Sequence, residues 1–231
     1  MPATISSATT PPLSPEDVTY ARDAPPIDWF MRPSAPAESG AHSLVLWDLD
    51  SVLLHARRLD REAHRVAFAE LTGARPRHEP LLSDQSDPRF AVALLRCNGS
   101  TEGRARLMLP LYLPALVTAY RTLVRRRPWL LPQRCERSFA RMRRNASVPG
   151  VVQSFVSARL RPNALLALKA VGLDRYLDPR VAAFGSDHVD MDGIATTAVR
   201  RAEYAHGRNL AHLAPNLVSL RDRRHRADRS A

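Results

Sequence analysis

From residue 151 onward, short apolar runs alternate with stretches of helical period. "VVQSFV" (Val151 to Val156) reads as a buried strand, and Pro162 to Val171 as a helix closed by Gly172. "VAAF" (Val181 to Phe184) reads as another strand, Thr196 to His206 as a helix closed by Gly207, and "LVSL" (Leu217 to Leu220) as a last strand. Strands that alternate with helices pair in parallel through right-handed crossovers, which leaves few topologies open. The expected class is α/β, with a parallel sheet at its core. Ser43 to Trp47 is the first strand of that sheet. It is apolar without alternation, as a strand covered on both faces must be.

A helical block interrupts the alternation after this first strand. Ala63, Val66, Ala67 and Leu71 fall on one helical face, and Gly73 stops that helix. Asp87 and Pro88 open a second helix. Leu113, Leu116, Val117, Tyr120, Leu123 and Val124 repeat at three and four residues and mark a third. The organisation expected is a disordered segment over 1–40, a core from 41–58 and 131–231, and a helical cap inserted over 59–130. The first 40 residues are rich in Pro, Ser, Thr and Ala and cannot bury enough surface to order themselves. No apolar run reaches about 18 residues, so no transmembrane helix is expected and no membrane partner. The two cysteines, Cys97 and Cys135, make no disulfide framework, and a cytoplasmic setting is the simpler expectation.

The first strand ends in Asp48 and Asp50. Open parallel sheets bind ligands at the carboxyl ends of their strands. Two carboxylates in one cleft can divide labour between a nucleophile or metal ligand and an acid. Their hard oxygens suit Mg²⁺. An Asp-x-Asp after a strand can also be a turn with capped amides.

The stretch Asp48-Leu49-Asp50-Ser51-Val52 resembles motif I of the haloacid dehalogenase superfamily. The segment from Leu130 to His188 is similar to the second half of the core in its phosphoglycolate-phosphatase-like members. The resemblance covers roughly residues 42–222. It implies a Rossmann-like parallel sheet core with an inserted helical cap. It implies an Mg²⁺-dependent phosphatase-like hydrolase acting on a small phosphorylated metabolite through an aspartyl-phosphate intermediate. Asp48 would be the nucleophile and Asp50 the acid toward the leaving oxygen. Asp48, the main-chain carbonyl of Asp50, and Asp222 would hold Mg²⁺. Ser157, at the motif II position, would hydrogen-bond a phosphoryl oxygen.

The chain also departs from that pattern. Ser51 stands where motif I has glycine, and Ser157-Ala158-Arg159 where motif II relatives read Thr-Gly-Asn. Motif III calls for a Lys or Arg shortly after "FGSDHVD", and Met191 stands there; Arg159, Arg200 and Arg201 are the candidates to replace it. Lys169, the lone lysine, reads as structural. Motif IV is altered to Arg221-Asp222 followed by "RRHRAD". The sequence stops at Ala231, before the further helix and fifth strand of a full core, so the last core strand is expected to be missing.

These departures sustain an alternative: a catalytically impaired pseudoenzyme of the same fold, serving as a binding or regulatory module. The net charge of +11 raises a third possibility, a nucleic-acid binder. The cations are almost all arginine, no nucleic-acid-binding motif accompanies them, and nucleic acid is not the expected partner. Asp187, His188, Asp190 and Asp192 are read as a polar loop capping the next helix, and His55 and His64 as surface residues.

Overall fold

The computed structural model describes residues 43–50, 54–81, 85–206 and 216–218. The expectations for residues 1–40 and for Asp222 lie outside these residues. Four strands form one parallel sheet: β1 (Ser43–Asp48), β4 (Val151–Ser157), β5 (Ala183–Phe184) and β6 (Asn216–Val218). Their order is β5-β4-β1-β6, so β1 lies inside the sheet. The chain steps outward from β1 to β4 to β5, then returns to the other side of β1 as β6. That reversal puts the carboxyl end of β1 where an open α/β sheet makes its crevice. The fold is α/β with a Rossmann-like parallel sheet.

Both faces of the sheet are covered, which explains the apolar run of β1. Val45 and Trp47 belong to the larger core, with Phe155, Phe184 and residues of the helical block. Leu44 and Leu46 point to the other face. There they join Val156, Val181 and Ala183 against Ile194, Ala198 and Ala202 of α6 (Met191–His206). Trp47 is fully buried, and its indole N–H donates to Gln153 Oε1 at 3.1 Å. Gln153 in turn donates to the main-chain carbonyl of Met142, so the buried amide is satisfied on both sides.

Three helices follow β1: α1 (Arg57–Thr72), α2 (Asp87–Cys97) and α3 (Glu102–Arg126). α1 turns Leu59, Ala63, Ala67 and Phe68 inward, and α3 packs on it with Tyr112, Leu116, Ala119, Tyr120 and Leu123. α3 is longer than its periodic segment predicts, because Thr101 caps it by accepting the Arg104 N–H. By length and composition alone α3 is long and apolar enough to cross a membrane, a feature the search for unbroken apolar runs does not reveal; 28% of its most apolar window is buried here. A two-stranded ribbon that periodicity does not reveal joins the entry and exit of this block: β2 (Leu54–His55) pairs antiparallel with β3 (Gln133–Arg134). α4 (Glu136–Ala146) and α5 (Arg161–Ala170) complete the helices. The third sheet strand is two residues rather than four, and β6 begins at Asn216, one residue before the expected start.

Candidate functional site

β1 and β4 are direct neighbours, and their register sets Asp48 opposite Val156. The next residue of β4 is Ser157, so the sheet itself delivers Asp48, Asp50 and Ser157 to one end. Past β1 the chain turns at once: the Asp50 N–H donates to Asp48 Oδ1 at 3.1 Å. Leu49 is thereby buried while Asp50 swings toward β4.

The Asp50 carboxylate accepts from the Ser157 hydroxyl at 2.9 Å, from the Ala158 N–H at 2.6 Å, and from the Arg159 guanidinium. Ser157 is itself fully buried, and its oxygen accepts the Arg159 N–H at 3.1 Å. In this structure the serine hydroxyl is thus spent on Asp50. Of the four residues singled out by motif, three meet here.

Arg159 is the centre of the cluster. Its Nε and one terminal nitrogen grip Asp60 of α1 at 2.9 and 2.7 Å, while the other terminal nitrogen meets Asp50. Burial pushes this guanidinium down to about 10, opposed by the charge of Asp48. It stays a cation at neutral pH. Burial pushes Asp60 well above the usual carboxylate range, Asp87 adds to the push, and Arg57 opposes it. The Arg159 fork on its two oxygens works against that push, because a guanidinium pair favours the carboxylate. Of the three arginines considered as replacements for a motif III cation, only Arg159 touches the site. Arg201 is paired with Asp187 and the Ala182 carbonyl. Lys169 is exposed near the end of α5.

The loop after β4 is held by three hydrogen bonds from two sides. Asp87 donates its N–H to the Ala158 carbonyl at 2.9 Å, and its carboxylate accepts the Leu160 N–H at 2.8 Å. Gly185, just past β5, donates to the Arg159 carbonyl at 2.9 Å. A Cβ on Gly185 would sit 2.0 Å from the Ala158 carbonyl oxygen, so only glycine permits this approach. Backbone groups that would otherwise be buried without partners are satisfied by the residues that build the site.

Behind Asp87 lies His64, which corrects its reading as a surface residue. It is buried on the inner face of α1, with Nε2 at 3.3 Å from Asp87 and Nδ1 at 3.1 Å from the Tyr112 hydroxyl. A proton on Nε2 serves Asp87, while the Tyr112 hydroxyl also lies 3.1 Å from the His64 main-chain carbonyl, to which it donates. Those polar partners are why a histidine can occupy an apolar face. Burial, with Asp87 nearby, holds the Tyr112 phenol well above its ordinary value. The Tyr120 hydroxyl is buried with no hydrogen-bond partner among the described residues.

Sequence reasoning missed Asp60 and Asp87 as parts of the site. Asp60 lies three and seven residues before Ala63 and Ala67, on the face that must turn inward, and that spacing could have flagged it. Asp87 reads as a helix opener and is one; its second role depends on tertiary contact alone. The Asp187–Asp192 loop behaves as a cap, with Asp190 Oδ1 accepting the Gly193 N–H at 2.8 Å.

Asp48 and Asp50 offer hard oxygens of the kind Mg²⁺ takes. Among the described residues no cluster of three His, Cys, Asp or Glu side chains stands ready for a metal. The donors fit the ion in kind, and further ligands would come from substrate, water or residues beyond those described.

No family model and no curated protein matches the chain. A solved structure described as a beta-phosphoglucomutase from Thermotoga maritima is similar at 17% identity and a TM-score of 0.33. The match covers 62% of this chain and spans 62% of that protein's length.

Proposed function

We propose that this chain is a haloacid-dehalogenase-like phosphoryl hydrolase, with Asp48 as nucleophile toward a small phosphorylated metabolite. The observation that carries this reading is the convergence of Asp48, Asp50, Ser157 and Arg159 at the carboxyl ends of two adjacent parallel strands. Asp48 attacks phosphorus in line with the leaving oxygen and forms an aspartyl-phosphate, which water then cleaves. Asp50 passes a proton to the leaving oxygen and takes one from that water. To do so it must exchange one of its present donors for substrate. Arg159 contributes the positive charge that Met191 cannot, offsetting charge on the transferring group. Mg²⁺, held by the Asp48 carboxylate and the Asp50 main-chain carbonyl, would screen phosphate charge from the attacking carboxylate.

One observation favours a second reading. Asp50, Ser157 and Arg159 satisfy one another, and Arg159 is also committed to Asp60. A site so well paired without substrate suits a catalytically impaired module that binds or regulates. Hydrolysis of p-nitrophenyl phosphate with Mg²⁺ separates the two. The hydrolase reading expects turnover by the wild type and a loss of at least about a thousandfold in Asp48→Asn. Equal inertness of both proteins, with correct folding, would sink that reading and leave the binding module.

A further inference from the structure

The outward face of α1 carries a second constellation, apart from the Asp48 site. A cleft of about 330 Å³ is lined by Arg58, Arg61, Glu62, Arg65, Arg127, Trp129 and Leu130. Asp60 and His64 point to the opposite side of the same helix, into the site described above. From this cleft we infer a binding site for a phosphorylated compound that carries a planar ring, of the nucleoside monophosphate class.

Charge is the first argument. Four guanidiniums line the cleft against one carboxylate, Glu62, which binds Arg127 at 2.8 Å and Arg65 at 3.6 Å. Glu79 reaches in to pair with Arg65 and, at 3.6 Å, with Arg61. Two positive charges remain in excess, the complement of one phosphate dianion. Arg58 has no ionic partner among the described residues, and the Arg61 side chain is 53% exposed. Arg58, Arg61 and Arg65 recur at three and four residues, where like charges repel. Arg58 also lies in the first turn, where a cation opposes the helix dipole. A bound anion relieves both penalties, and guanidinium forks match phosphate oxygens in pairs.

The ring is the second argument. Trp129 is 72% exposed at the rim, held in a short helical turn after Pro128. An indole left in water beside arginines is a stacking platform for a planar base. The size is the third: the cleft falls at the low end of small-ligand sites, about 300–1,000 Å³. Its two walls are the segments that enter and leave the helical block, next to the β2–β3 ribbon.

The test is a titration with guanosine monophosphate in low salt without divalent cation, followed by tryptophan fluorescence and calorimetry. The expected result is saturable binding, with guanosine and orthophosphate each binding more weakly. The double variant R58A/R61A is expected to weaken binding by about tenfold or more, as loss of charge-assisted phosphate contacts does. Trp129→Ala is expected to remove the fluorescence change and weaken binding. Circular dichroism verifies that these exposed substitutions leave the fold intact. Asp48→Asn is expected to bind as the wild type does, so this result stands or falls separately from hydrolysis. Absence of saturable binding, or affinity unchanged in R58A/R61A, overturns the assignment. So does a single-stranded oligonucleotide that binds there without competition from the nucleotide.

Discussion

Two carboxylates in this molecule each hold an arginine fork, and their surroundings push them in opposite directions. Asp178, beyond α5, is pushed up by burial, but hydrogen bonds from His206 and from the Arg180 side chain and main chain outweigh this and hold it well below the usual range. Asp60 is driven up by burial and then by Asp87. The difference is one of balance. The Asp178 corner gathers two basic side chains, Arg180 and His206, around one acid. The site gathers Asp48, Asp50, Asp60 and Asp87 around Arg159, with His64 alongside Asp87. An excess of buried acid is unfavourable in a structural corner, and it persists where a proton or a cation has work to do.

The largest effect is expected from removing the cation that Asp50 and Asp60 share. Arg159→Met leaves Asp50 and Asp60 facing each other without their shared donor. Breaking a buried pair from one side costs about 3–5 kcal/mol, and urea unfolding should register a loss of that order. A loss under about 1 kcal/mol, the range of an exposed pair, would break the comparison by showing that water already reaches these carboxylates.

Gly185→Ala comes next. The added methyl would meet the Ala158 carbonyl oxygen, a backbone atom that cannot swing aside. Overpacking of this kind costs about 1–3 kcal/mol. The strain falls on the loop that presents Ser157 and Arg159, so any activity should fall further than stability alone explains. Activity per folded molecule equal to wild type would separate the loop from the site. His64→Phe is expected to cost about 1–3 kcal/mol, because it leaves the Asp87 carboxylate without its buried imidazole partner, while the Tyr112 hydroxyl keeps the main-chain carbonyl of residue 64. Pairing it with Tyr112→Phe in a double-mutant cycle should return coupling between the two.

Much of this was legible in the sequence because it depends on local order. The unbroken apolar run of β1 implied a strand covered on both faces, and α6 on one side and the helical block on the other do cover it. Asp48, Asp50 and Ser157 were legible because strand ends in a parallel sheet converge wherever their strands pair. What stayed hidden depends on contacts between distant segments. Asp60 and Arg159 are 99 residues apart, and nothing local marks them as partners. His64 looked like a surface residue because its satisfaction comes from Asp87 and Tyr112, on two other helices. The β2–β3 ribbon was hidden because two-residue strands carry no periodicity to read.

The smallest effect sharpens the comparison through pH. Asp178 has a lowered value when folded, so it binds fewer protons in the folded state than in the unfolded one. Its contribution is therefore present above the unfolded value of about 3.9 and fades as pH falls through the folded value. Asp178→Asn keeps the side-chain shape and some hydrogen bonds but loses the charge, and at pH 7 it is expected to cost about 1 kcal/mol. That gap should narrow as pH drops below about 4, where the wild-type carboxylate begins to lose its advantage over the amide. A gap constant from pH 7 to pH 3 would mean that packing, not charge, is what Asp178 contributes. The contrast with Asp60 would then rest on burial and not on the supply of donors.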